Sequence, residues 1–117
     1  MIRRGFCVRC THHPRHIYVV LNDPQSDGRI LFVNFTSFDQ DRDQGEEVFT
    51  AQDYRLLVHE SVIAFWGTYP NVTAGKLARL VQSGDFVPLP DLPEATLQRI
   101  VATAKKSRHL SQTQKSL

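Results

Sequence analysis

The sequence is short of almost everything that marks a specialised class. It has two cysteines, one methionine and one tryptophan in 117 residues. A single cysteine pair in a chain of this kind argues against a disulfide framework. The longest apolar runs, IYVVL and ILFV, are far too short to span a bilayer. The basic start MIRRGFCVRC has no apolar h-region, so no signal peptide is expected and the expected address is the cytoplasm. There is no G-x-x-x-x-G-K-[ST], G-x-G-x-x-G, H-E-x-x-H or G-x-S-x-G, which leaves nucleotide, zinc-protease and serine-hydrolase readings without support. Asn34-Phe35-Thr36 and Asn71-Val72-Thr73 match the glycosylation acceptor pattern, which in a cytosolic chain is chance. No internal repeat or domain-splitting linker interrupts the chain, so one domain over 1–117 is expected.

What is present is ordinary in amount and uneven in placement. The hydrophobic fraction is 41%, the charged fraction 22% and the net charge +2. Arg3, Arg4, Arg9, Arg15, His12, His13 and His16 crowd the start without an acid among them, while the acids gather in DQDRDQGEE. A basic head on a near-neutral protein suits a phosphate-bearing partner. It also suits a solvated arm, and residues 1–14 are read as such an arm.

The β-branched and aromatic runs 16–21 (HIYVVL) and 29–36 (RILFVNFT) read as buried strands, joined through the turn-rich NDPQSDG into a hairpin. Their near-continuous apolar character predicts strands covered on both faces. Residues 38–46 read as a polar loop, 46–50 as a short strand, and 61–66 (SVIAFW) as a third main strand. Residues 51–61 are a loop or a single helical turn that brings Leu56, Leu57 or Val58 inward, and 67–71 a turn. Thr73 is placed to cap a helix over TAGKLARLVQSG, with Gly84 past its end. DFVPLPDLP is extended, its prolines limiting pairing. A second helix begins near Pro93, with Leu97, Ile100, Val101 and Ala104 as its stripe, and the polar tail from 108 to 117 is expected to fray. Strands first and helices last indicate α+β, mainly β, or a small barrel with appended helices.

Several side chains could carry chemistry. Cys7 and Cys10, with His12, His13 and His16, hold enough donors for zinc, but all lie within ten residues, and a tetrahedral site usually draws its second ligand pair from a distant segment. Thr36 and Ser37 end a strand where a hydroxyl can face a ligand; Ser and Thr also leave strands because they bond locally to backbone. Arg15 opens the first strand, where a planar fork of donors can hold phosphate. His16 and His59 could move protons. Glu60 is a poor partner for His59 because neighbours in a strand face opposite ways, whereas His59 and Ser61 could share a face.

The order of these features resembles the PemK/MazF family of toxin endoribonucleases. RHIYVVLND (15–23) is similar to the family's arginine-led strand, ILFVNFTS (30–37) to its strand ending in Thr-Ser, and LLVHESVIAF (56–65) to its later Leu-x-x-x-Ser segment. The family's opening strand is missing, and its proline after the arginine is His16 here. The resemblance implies a small, curved SH3-like barrel over 15–90 with one or two C-terminal helices, the last over 91–107, and metal-independent cleavage of single-stranded RNA without a cofactor. By position, Arg15 matches the arginine on the scissile phosphate, Thr36 and Ser37 the hydroxyl pair beside it, and Ser61 the serine entering the later strand, an RNA contact together with Arg9. His16 and His59 would supply acid–base work. A homodimer and a small antitoxin protein are the implied partners. Two other readings stand beside this one: a relative without activity that binds nucleic acid or protein, and a module stabilised by zinc through Cys7 and Cys10 with His12 and His13.

Overall fold

The computed structural model describes residues 1–13, 16–67, 69 and 72–117. The strands are β1 (Cys7–Cys10), β2 (Ile17–Val20), β3 (Phe32–Ser37), β4 (Ser61–Ile63) and β5 (Phe86–Leu89); the helices are α1 (Ala74–Gln82), α2 (Glu94–Lys106) and α3 (Gln112–Lys115). They form one antiparallel sheet in the order β4-β3-β2-β1-β5, and the class is α+β. The sheet is open: among the described residues no ladder joins the edge strands β4 and β5, so closure into a barrel is not seen.

Each face of the sheet carries its own core. Cys7, Ile17, Val19, Val33, Phe35 and Ile63 pack against Leu97, Ile100 and Ala104 of α2 and against Phe49, Tyr54 and Leu57 of the long connection before β4. The intervening residues Val8, Tyr18, Val20 and Phe32 pack with Leu77 of α1. This is why the β2 and β3 segments read as unbroken apolar runs: alternate residues point to opposite faces, and both faces are covered. Thr73 caps α1 by accepting from the Lys76 N–H at 3.2 Å, and Gly84 takes the left-handed conformation (φ 86°) just beyond the end.

Four expectations are corrected. The basic head is not a solvated arm: residues 7–10 form a strand between β2 and β5, with Cys7 and Val8 fully buried. The CVRC run is too short, and too mixed in polarity, to give a strand signature by alternation. Its partner is the proline-bearing segment, which pairs as β5 because an edge strand accepts a proline that a central one would not. Residues 46–50 make only a single bridge, Phe49 to Ser61. The tail is ordered by a reciprocal capping box between Ser111 and Gln114 and by burial of Leu110. The expected turn at 67–71 falls partly outside the described residues.

Candidate functional site

One end of the α2-facing side of the sheet turns polar on three strands at once. Along β1 the residue after Cys7 on this face is Arg9; along β3 Phe35 gives way to Ser37; along β4 the residue before Ile63 on the same face is Ser61. The registers align these changes. Arg9 lies opposite Ile17, Phe35 opposite Ile63, and Ser37 opposite Ser61. A cavity of about 710 Å³ opens there, with the segment Leu56–His59 as its wall. Leu57 turns inward and is buried, while Val58 stands 86% exposed at the lip.

The cavity brings together Arg9, His16, Thr36, Ser37, His59 and Ser61 from four separate stretches of chain. Arg15 lies outside the described residues. Arg9 presents the sharpest chemical oddity. Its Nε is buried and has no hydrogen-bond partner among the described residues. A buried donor without an acceptor is costly, so a cation so placed calls for an anion or a carbonyl from elsewhere.

The two strand-end hydroxyls do not act as a pair on one surface. Strand alternation turns Ser37 to the Arg9 face and Thr36 to the opposite one, shared with Tyr18. His16 belongs with Thr36: its ring lies 6.3 Å from Tyr18 and 6.2 Å from His13. The cavity therefore wraps the end of the β2–β3 ladder. Neither hydroxyl has a hydrogen-bond partner among the described residues, so the local backbone bonding that removes Ser and Thr from strands is not what occupies them here. Ser61 differs, because its Oγ donates to the His59 carbonyl at 2.9 Å and it is only 5% exposed. That bond fixes the bend carrying His59, whose ring is left exposed at the cavity wall.

The rim beside Ser37 is stiffened by charge. Arg42 donates from Nε and Nη2 to the two oxygens of Asp43 (2.8 and 2.7 Å) and from Nη2 to the Ser37 carbonyl (2.7 Å). The guanidinium beside it holds the buried Asp43 carboxyl below the usual carboxylate range. Arg42 also lies over the Trp66 ring, 4.9 Å from its centroid. Read from sequence, Arg42 is one charge in an acidic loop, and nothing local marks it as a bracket between β3 and Trp66.

The donor set at the head does not fit zinc. Cys7 belongs to the core under α2, while Cys10 packs on the α1 face, so the two thiols diverge. Burial pushes the Cys7 thiol up to about 12, far from the thiolate a metal needs. His12 lies 3.1 Å from Asp85 instead. Among the described residues no three His, Cys, Asp or Glu side chains are grouped to hold a metal, and no helix is long and apolar enough to cross a membrane. The chain matches no protein family, no curated protein and no solved structure.

Proposed function

We propose that the chain is a toxin-type, metal-independent endoribonuclease acting on single-stranded RNA in the cavity at the end of the β2–β3 ladder. One observation carries the reading: a single cavity is bordered by a cation with a buried donor, two imidazoles and two hydroxyls, the donor and the hydroxyls having no hydrogen-bond partner among the described residues. These are the parts that transesterification of RNA requires. A base takes the proton of the 2′-hydroxyl, whose oxygen attacks the adjacent phosphorus. An acid protonates the departing 5′-oxygen, and a cation stabilises the charge gathered on the phosphoryl oxygens. His16 and His59 take the proton-transfer roles, and Arg9 faces the phosphate charge with Ser37 beside it. Arg15 keeps the phosphate-binding role that the family resemblance gives it, and Thr36 holds the far side of the ladder end. The reading needs the cleft and does not need the sheet to close into a barrel. As a toxin-type enzyme it would be held by a protein antitoxin, and a homodimer is the assembly the resemblance suggests.

The test is cleavage of a single-stranded RNA with and without chelator. Expected are chelator-insensitive cutting, products ending in 2′,3′-cyclic phosphate, and no cutting of the same strand with 2′-deoxyribose. His16→Ala and His59→Ala should each slow the reaction by roughly 10²–10⁴-fold, and Arg15→Ala should abolish it. Equal cutting of the deoxy strand, or parent rates in both histidine variants, would refute the assignment. The alternation that separates Thr36 from Ser37 favours a second reading, in which the same cleft binds RNA without cutting it. Saturable binding with no product over long incubation would select that reading.

A further inference from the structure

We propose that Trp66 is a stacking site for an unpaired nucleobase, next along the strand from the one held in the cleft; this rests on the cleft's being an RNA site. Trp66 sits in a 3-10 turn (Phe65–Gly67) and is 45% exposed. An exposed indole is ordinarily free to change rotamer, and this one is held. Arg42 lies over its ring at 4.9 Å, and His109 meets it at 6.2 Å with the planes 74° apart. Arg42 is itself fixed by buried Asp43 and by the Ser37 carbonyl, and Ser37 lines the cleft. Cleft, bracket and indole therefore form one continuous connection, and ordering an aromatic before a base arrives lowers the entropy cost of stacking.

The surroundings favour nucleic acid over a protein surface. The two side chains stacked on or against the indole are the Arg42 guanidinium and the His109 imidazole. His109 also borders a second cavity of about 420 Å³ together with Lys106 and Arg108. Neither Lys106 nor Arg108 has an ion-pair partner among the described residues. The acids on that cavity are Glu46 and Glu47, and Glu47 is paired with Arg99 at 2.7 Å. A π-face beside unpaired basic groups is the arrangement by which single strands are held without sequence readout, the base stacking and the backbone meeting positive charge.

Trp66 is the only tryptophan, so its emission reports this site alone. The experiment titrates the full chain with a fluorescently labelled, sequence-randomised decanucleotide bearing 2′-O-methyl groups, which cannot be cut. Indole emission and label anisotropy are read in parallel. Expected are quenching that saturates together with anisotropy, binding by Trp66→Phe within about threefold of the parent, and roughly 5- to 150-fold weaker binding by Trp66→Ala. Circular dichroism melting of Trp66→Ala shows whether the fold is kept. A purely structural indole would leave emission unchanged at saturating RNA, and that result overturns the stacking site while the cleft reading stands. Quenching without any cleavage of unmodified RNA upholds the site and refutes catalysis alone. Absence of RNA binding overturns both.

Discussion

Replacing Arg9 by methionine separates function from stability in a way few other substitutions can. Arg9 lies in β1, opposite Ile17 on one side and Val87 on the other, with its Nε buried and lacking a partner among the described residues. A buried donor left unsatisfied costs about 1–3 kcal/mol. The arginine stem also contributes apolar contact, which methionine, unbranched and of similar reach, largely keeps. Removing the donor while keeping the stem should therefore stabilise the fold by about 1–2 kcal/mol. For a domain of this size that is on the order of 5 °C in Tm for each kcal/mol. The same change removes a cation from the cleft. RNA affinity should fall, and the slope of log K against log salt should shrink by about 0.7 for one lost contact to a single strand. The assays are thermal melts of parent and Arg9→Met at pH 7, and RNA binding between 50 and 200 mM salt, both set by the range over which that slope is usually read. A melting temperature below the parent's would mean that Arg9 has a structural partner; an unchanged salt slope would remove it from the RNA site.

Three further outcomes test the framework that holds the cleft. Asp43→Asn should destabilise by about 1–2 kcal/mol, since it weakens charge-assisted bonds to a half-exposed arginine; it should also shift Trp66 emission by loosening Arg42. Because the folded Asp43 carboxyl titrates below its unfolded value of 3.8, its contribution is fully present above about pH 4–5 and is lost as the pH falls through the folded pKa, so parent and Asp43→Asn should converge in acid melts. Ile100→Ala, at a fully buried α2 position, should cost about 2–5 kcal/mol and lower the urea midpoint with little change in slope. Gly84→Ala meets no atom within 4 Å, so its cost of about 1 kcal/mol in chemical denaturation should be the left-handed backbone alone.

The parts of the fold legible in sequence are those whose signal is local and repeated. The β2–β3 hairpin was marked by two β-branched runs around a turn-rich segment, α1 by its threonine cap and terminal glycine, and α2 by its stripe of Leu97, Ile100 and Ala104. β1 and β5 were hidden because each depends on the other. Four residues with two cysteines and an arginine do not announce a central strand, and Phe86–Leu89 carries Pro88, which local rules exclude from pairing unless the strand proves to be an edge. The site divides along the same line. His16, Thr36, Ser37, His59 and Ser61, each singled out at a strand end or entry, line one cavity. That Thr36 and Ser37 face apart follows from strand alternation alone. Arg9 was expected as an RNA contact and does border the cavity, but its buried Nε without a partner among the described residues was not legible, because it depends on what β1 pairs with.

A polar end to a sheet face usually needs no explanation, since strands run out into water and their last side chains follow. Here that account fails on Arg9. If its end of the sheet were simply solvated, its Nε would be wet, yet it is buried. The Leu56–His59 segment lines the end of the face, and no acceptor among the described residues bonds that Nε. Enclosure without satisfaction is unfavourable for the isolated chain, and it is tolerated where a bound group supplies the missing partner. Arg42 shows the contrast within the same rim. It has as much charge, and its Nε and Nη2 are bonded to Asp43 and to the Ser37 carbonyl, with the guanidinium over Trp66. One arginine is bonded into the wall and the other has a buried Nε without a partner among the described residues, and the proposed anion-binding role of the cavity rests on the second.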